Sequence, residues 1–466
     1  MNYERLKQPF ILVIFGITGD LAQRKLLPAL YQLAKAEELP KEMTIVGVSR
    51  REVSKDEVFG QLKSFVDEDD YSDSIEQHLK GVTEMRQMDL LDKAAYESLL
   101  ERLKALEAAT PEQGGRLYYL SIPSQAFSPI IRLLGQTGHN GPIADSHDLP
   151  RLLIEKPFGY DLPSAKELIS VLAEHFTEDQ VYRIDHYVAK ETVQNILTFR
   201  FKNPLFESIW NNRHIDHISV VAREKLDIGT RADFYDQTGA LRDFIQNHLL
   251  QLLAITTMNR PQELNSDGIH AEKLKLLQAI EPIAPDEMAA QTLRGQYEGY
   301  PKEVGNHDSS VETFARIKLW IDNEQWTGVP ITLETGKALN EKLTEISVFF
   351  RQPDDSADEH NKLVFRIQPC EGITLHLQTK RPGIQNITDG ADMELDYARS
   401  FNERPAEAYE RVIVDAIRGD QTLFASSDEV IRSWEIVANV LEQWSHGDSD
   451  LVIYPKGSAG PVEPEL

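Results

Sequence analysis

FILVIFGITGDLAQRK, residues 10–25, sets an unbroken apolar run against a glycine turn and the start of a helical pattern. A run that is apolar at every position suits a strand covered on both faces, as in a parallel sheet. Gly16 and Gly19 allow a tight turn and a close backbone approach, and the helix that follows offers free N–H groups to an anion. The spacing is G-x-x-G, short of the full dinucleotide fingerprint, so taken alone it equally describes a ligand-free strand-to-helix turn. Its place on the first strand of an alternating pattern favours nucleotide binding, with Gly16, Thr18, Gly19, Asp20 and Leu21 as candidate contacts. Pro28, inside the helical stretch, must kink it or remove a hydrogen bond.

Outward from that stretch, apolar runs at 44–50, 86–90, 116–123, 151–159 and 180–187 read as strands, with helical patterns near 54–66, 92–107, 125–135 and 161–175 between them. Strand and helix alternating in this way predict a Rossmann-like, doubly wound parallel sheet in an α/β domain over residues 1–184. Beyond residue 200 the pattern becomes alternating: 214–224, 312–323, 345–351, 362–369 and 372–380 read as half-buried strands of a mainly antiparallel sheet. With helices expected at 239–257, 270–281, 405–418 and 427–445, residues 185–466 read as an α+β domain for substrate binding and oligomerisation. The C-terminal PKGSAGPVEPEL reads as a loose tail.

Composition sets bounds. The 466 residues carry 75 acidic against 49 basic side chains, a formal charge of −26. Nucleic acid, which is bound by neutralising phosphates, is an unsuitable partner for such a surface. An anionic small molecule would need a local basic pocket, so clustered Lys, Arg and His carry extra weight. The single cysteine, Cys370, excludes an intramolecular disulfide and fits a reducing cytoplasm. No apolar run approaches the roughly 20 residues of a membrane helix, and no cluster of metal ligands stands out. A metal site is not expected.

Three groups of residues point to chemistry. The second strand ends in Ser49-Arg50-Arg51, where NAD-selective sites place an acid and arginine accommodates a 2′-phosphate. The pair favours NADP, with NAD possible, against the alternative of two solvated arginines. In YRIDHYVAKE (182–191), His186 and Lys190 would share a helix face and, with Tyr187, could hold a phosphate. The bland reading is an Asp185 N-cap and a solvated face. In TGALRDFIQNHLLQLLAI (238–255), an α-helix puts Leu241, Ile245, His248 and Leu252 on one stripe. A histidine there is commonly a satisfied core residue; burial would also keep it neutral, as a base must be.

Together with IEKPFG, FRFKNP, IQNH and TGKAL, the motifs FGITGDLAQRKLLPALYQL and RIDHYVAKETVQNI resemble the glucose-6-phosphate dehydrogenase family over nearly the whole chain. The resemblance implies oxidation of C1 of β-D-glucose 6-phosphate to the 1,5-lactone with reduction of NADP, the first step of the oxidative pentose phosphate pathway. It implies His248 as catalytic base and Asp185 as the carboxylate that orients it. His186, Tyr187 and Lys190 would hold the phosphate, and Glu224, Asp243, Lys337 and Lys342 the sugar. Lys25 would lie between sugar and cofactor, and Lys156, before a cis proline, would contact both. Asp89 and Leu90 would border the adenosine half. Homo-oligomerisation, as dimer or tetramer, is also implied.

Some residues depart from the family pattern: Glu334 stands for an expected arginine, Asp227 and Asp233 for glycines, and Gly229 for an acid. These positions flank the implied sugar site, so they bear on specificity and loop shape. A divergent relative acting on another aldose, or a non-catalytic paralogue that binds NADP, are the competing readings. Retention of Asp185, His248, Lys190 and Lys156 weighs against the second.

Overall fold

A computed structural model describes residues 8–109, 114–143, 148–229, 232–352, 360–401, 404–447 and 450–462. The chain forms two compact units, one of Met1–Ala189 with Ala406–Ser427, the other of Lys190–Pro405 with Asp428–Leu466. The segment 406–427 therefore returns to the first unit, an excursion the sequence pattern does not signal.

The first unit is built on β1 (Phe10–Phe15), β2 (Met43–Ser49), β3 (Thr83–Gln87), β4 (Gly115–Leu120), β5 (Arg151–Ile154) and β6 (Val181–Arg183). They form one parallel sheet in the order β3-β2-β1-β4-β5-β6, the doubly wound arrangement whose ligands bind beyond the strand C-termini. β1 is buried at all positions, as a central strand covered on both faces must be. Two expectations need correction. β3 begins earlier than the 86–90 run, and a helix at Asp73–Val82 precedes it, unsignalled because only Leu79 of that helix is buried. The strand expected over 180–187 stops at Arg183, because Asp185 Oδ1 accepts the Tyr187 and Val188 N–H groups at 2.9 and 3.3 Å and turns the chain.

Pro28 also finds its explanation. Residues Ala22–Leu26 wind as a π-helix that runs without a break into the α-helix Leu27–Lys35, with Pro28 at the junction. The change of winding is the disturbance its ring and missing N–H call for.

The second unit carries β7 (Ile215–Arg223), β8 (Thr292–Tyr297), β9 (Phe314–Leu319), β10 (Ile331–Gly336), β11 (Leu343–Phe350), β12 (Lys362–Gln368), β13 (Gly372–Lys380), β14 (Thr388–Asp396) and β15 (Leu451–Tyr454). They make one sheet in the order β14-β13-β12-β11-β7-β10-β9-β8-β15. Pairing is antiparallel except between β7 and β10 and between β8 and β15. Over its described residues, 455–462, the tail is not loose, and 463–466 lie outside the described residues: Lys456 pairs with Asp227 and Glu303, Gly457 N donates to Ala338 O at 2.7 Å, and Asn340 N donates to Ser458 O at 2.8 Å. Residues 455–460 thus brace the loop after β10. Among the described residues no helix is long and apolar enough to cross a membrane.

Within the second unit, Lys273 and Glu429 are fully buried and 2.7 Å apart, and His270 Nδ1 lies 2.7 Å from the same carboxylate. Burial pushes the Glu429 carboxyl up, but the Lys273 charge and the bonds from His270 outweigh it and bring the group down to about 2. Its folded value lies below the unfolded value near 4.3. The pair therefore stabilises fully above that value, and its contribution is lost as pH falls through about 2. Lys273→Met, which leaves a buried charge without its cation, is expected to cost about 3–5 kcal/mol in urea unfolding at pH 7. The gap to wild type should narrow as the pH is lowered and Glu429 is protonated; a gap unchanged between pH 7 and 3 would contradict this account.

Candidate functional site

In the first unit the turn after β1 is held by backbone bonds: Gly16 N donates to Val48 O at 3.1 Å and Gly19 N to Gly16 O at 2.8 Å. Gly16 has φ +80°, and a Cβ there would overlap the Ser121 carbonyl, so the position requires glycine. Beside the turn opens a cavity of about 350 Å³ whose lining includes Thr18, Asp20, Arg24, Arg51, Glu57 and Phe65. Two cations, a helix start and an aromatic edge suit a phosphorylated ribose and its base.

Of the paired arginines, Arg51 lines this cavity, with its N–H on Ser49 Oγ at 3.3 Å and its guanidinium 2.6 Å from Glu57. Arg50 is exposed, and its carbonyl accepts from Gln87. Arg24, 5.7 Å above the Phe65 ring and paired with Asp20 at 2.8 Å, is a cavity residue the motif reading missed; its i, i+4 relation to Asp20 was the available signal. Asp89 accepts the Leu91 N–H at 2.9 Å and the Leu90 carbonyl accepts the Tyr96 hydroxyl, a capped turn beyond β3. Leu21 is half-buried at the start of the π-wound turn, and Lys25 is exposed, 3.9 Å from Glu407.

Lys156–Pro157, beyond β5, is cis. Glu155, one residue earlier, is buried and accepts the Tyr119 hydroxyl at 2.6 Å; burial pushes its carboxyl up to about 7 against bonds from Tyr119 and Tyr409. Tyr409 in turn stacks on His186 with centroids 6.4 Å apart. Neither Glu155 nor Tyr409 was singled out from sequence, because burial of one and the return of the 406–427 segment carry no local signature. His186 and Lys190 do not share a helix face. Residues 186–189 form a turn that Asp185 caps through the Tyr187 and Val188 N–H groups; the extended Lys190 ends it and is the N-cap of the helix Glu191–Lys202. Lys190 lies 3.8 Å from Glu371.

In the second unit the parallel register of β10 on β7 places Gly336 opposite Arg223, which brings the next residues, Lys337 and Glu224, together in a short ion pair. Lys337 also lies 3.8 Å from Asp243 and 4.9 Å from the Tyr235 ring centroid. Asp243 and His248 sit on Leu241–Leu249, which winds as a π-helix rather than the expected α-helix; Leu250 N–H reaches back to Ile245 O. In an α-helix residues five apart are about 140° apart around the axis; the wider winding of an i→i+5 ladder brings them onto the same side. Asp243 and His248 thus share a face. His248 is fully buried and meets the Phe244 ring edge-on at 5.5 Å. Lys342 is exposed just before β11. Among the described residues no group of His, Cys, Asp or Glu could hold a metal ion.

The departures near this cluster are structural. Glu334, buried in β10, takes both Arg223 at 2.8 Å and Arg316 at 2.9 Å, guanidiniums from the strands on either side. Asp227 is tied to Lys456 at 2.9 Å, and Gly229, at φ +51° in open space, donates to its carboxylate. The side chain of Asp233 lies outside the described residues.

The chain matches the family models "Glucose-6-phosphate dehydrogenase, NAD binding domain" over residues 13–195 and "Glucose-6-phosphate dehydrogenase, C-terminal domain" over 197–465. It is 40% identical to a glucose-6-phosphate 1-dehydrogenase of Chlamydia pneumoniae, covering 99% of this chain and 95% of the relative. It is 38% identical to that of Bacillus subtilis, covering 97% and 95%. A solved glucose-6-phosphate dehydrogenase in complex with its substrate glucose-6-phosphate is 34% identical with a TM-score of 0.90, covering 98% of this chain and 96% of that one. The Mycobacterium avium glucose-6-phosphate 1-dehydrogenase is 32% identical with a TM-score of 0.84, covering 98% and 95%.

The ion-pair account of Glu334 gives a direct prediction. Glu334→Arg would gather three guanidiniums in the sheet and should cost about 3–5 kcal/mol in urea unfolding. Glu334→Arg with wild-type stability would contradict it.

Proposed function

We propose that this chain, which belongs to the glucose-6-phosphate dehydrogenase family, oxidises C1 of β-D-glucose 6-phosphate to 6-phosphoglucono-1,5-lactone with NADP+ as hydride acceptor. The observation that carries the reading is the second-unit cluster: Lys337 in ion-pair contact with both Glu224 and Asp243, with Asp243 and His248 on one π-wound segment.

The bound nicotinamide supplies the two-electron acceptor. The remaining steps fall to side chains. Loss of hydride from C1 leaves positive character there, so the C1 hydroxyl must lose its proton in step; the imidazole of His248 takes it. General-base assistance of this kind contributes roughly 10²–10⁴-fold. The Asp185 carboxylate stabilises the imidazolium that results. His186, Tyr187 and Lys190 hold the sugar phosphate far from the reacting carbon, which fixes C1 in place and converts binding into orientation. Glu224, Asp243, Lys337 and Lys342 receive the ring hydroxyls, and Lys156 meets sugar and nicotinamide together. His248 is fully buried, which keeps its imidazole away from bulk water.

For the cofactor, Arg51 and Arg50 are read as partners of the 2′-phosphate, with Gly16, Thr18, Gly19, Asp20 and Leu21 around the pyrophosphate, Lys25 between cofactor and sugar, and Asp89 and Leu90 at the adenosine. The Arg51–Glu57 pair is exposed on both sides, and such pairs contribute only about 0.2–1 kcal/mol. A phosphate can therefore exchange for Glu57 at small cost. A homodimer or dimer of dimers formed through the second unit's sheet, in the cytoplasm, completes the proposal.

Initial rates with glucose 6-phosphate, other hexose phosphates and free glucose, each with NADP and NAD, test it. Turnover should be confined to glucose 6-phosphate and favour NADP, and Arg51→Ala should raise KM for NADP about tenfold while changing that for NAD little. Turnover of another sugar without glucose 6-phosphate, or equal loss with both cofactors, would contradict the proposal.

A further inference from the structure

The π-wound segment that carries Asp243 and His248 begins at Leu241, directly after a backbone kink at Gly239 with φ 73° and ψ 169°. Its first turn is held from outside the helix. Glu312, buried on the approach to β9, accepts the Leu241 N–H on its carboxylate at 3.0 Å, and its carbonyl accepts the Ala240 N–H at 3.0 Å. The carboxylate fills the space that a Cβ on Gly239 would occupy. Glycine at 239 therefore serves both the left-handed kink and the room for this anion.

The neighbouring residue reaches the other half of the cluster. Thr313 carbonyl accepts the Lys337 N–H at 2.9 Å, and the Lys337 carbonyl accepts the Tyr454 hydroxyl at 2.7 Å. Thr313 N in turn donates to Gly295 O at 2.8 Å, anchoring the dipeptide on β8. Glu312–Thr313 thus holds the helix with Asp243 and His248 on one side and the backbone of Lys337 on the other. A buried carboxylate is costly, and burial raises the Glu312 pKa, opposed by the Leu241 N–H. Its place at a helix start, where N–H groups lack intrahelical partners, is what offsets that cost.

We propose that Glu312 is a positioning residue for the reaction, its carboxylate fixing the first turn of the π-wound helix so that Asp243 and His248 stand in register with Lys337. The inference rests on the function proposed above and concerns the same site.

Three variants test it. Glu312→Asp draws the acceptor back by one methylene without opening a large cavity, Glu312→Ala removes it, and Glu312→Gln keeps an oxygen for Leu241 N–H. A misplacement of about 1 Å at a reacting group costs up to roughly 10²-fold. Glu312→Asp and Glu312→Ala should therefore lose about 10- to 100-fold in kcat/KM for glucose 6-phosphate, through kcat as well as KM. KM for NADP should stay at the wild-type value, and Glu312→Gln should recover to within about threefold of wild type. Glu312→Asp that binds NADP normally and keeps kcat and KM within twofold would overturn the proposal, as would Glu312→Gln as damaged as Glu312→Ala. If Glu312→Ala fails to fold, the Asp and Gln variants decide. Absence of wild-type turnover on glucose 6-phosphate would instead defeat the function itself, which separates the two failures.

Discussion

A lysine ammonium held by two carboxylates from different elements is the interaction on which the second unit's site depends. Lys337 is nearly buried, its partners Glu224 and Asp243 coming from the end of β7 and from the π-wound helix. An ammonium withdrawn from water is tolerated only with such partners. The triad exists because β10 runs parallel to β7 in one register, so that Lys337 and Glu224 leave the sheet side by side. It also fixes which face of the helix is presented, and so where His248 lies. Charged acceptors and a donor locked in this way can receive the hydroxyls of a sugar with little reorganisation, the property that polar catalytic sites exploit.

Much of this was legible where physics leaves a local trace. β1 and β2 read correctly because strands covered on both faces are apolar throughout, and β7, β11, β12 and β13 because half-covered strands alternate. β8 and β10 escaped notice because buried polar groups break the pattern: Arg294 and Gln296 in one, Glu334 in the other, each satisfied by partners outside its own strand. β14 is exposed along most of its length and has no apolar period at all. The tail looked loose because its anchors, Asp227 and the 338–340 backbone, lie over a hundred residues upstream.

The helical winding was the deeper loss. Hydrophobic spacing assumes 3.6 residues per turn, and two segments that carry candidate site residues, Ala22–Leu26 in the first unit and Leu241–Leu249 in the second, wind more widely. Pro28 and Gly239 mark those places, but a proline or glycine in a helical pattern announces a disturbance without its geometry. Glu334 and Asp227, departures from the family pattern, turn out to hold the scaffold: one links three strands and the other secures the C-terminal segment. The overall charge of −26 stands beside local cations at Arg24 and Arg51 in the first unit's cavity, the arrangement an acidic protein needs to bind phosphorylated ligands.

The most direct test replaces the ring itself. His248→Asn should depress kcat by roughly 10²–10⁴-fold, the share of a general base, while glucose 6-phosphate still binds with nearly unchanged affinity, because the proposal gives the phosphate to other residues. A His248→Asn protein that keeps most of its turnover would show that the proton leaves C1 by another route.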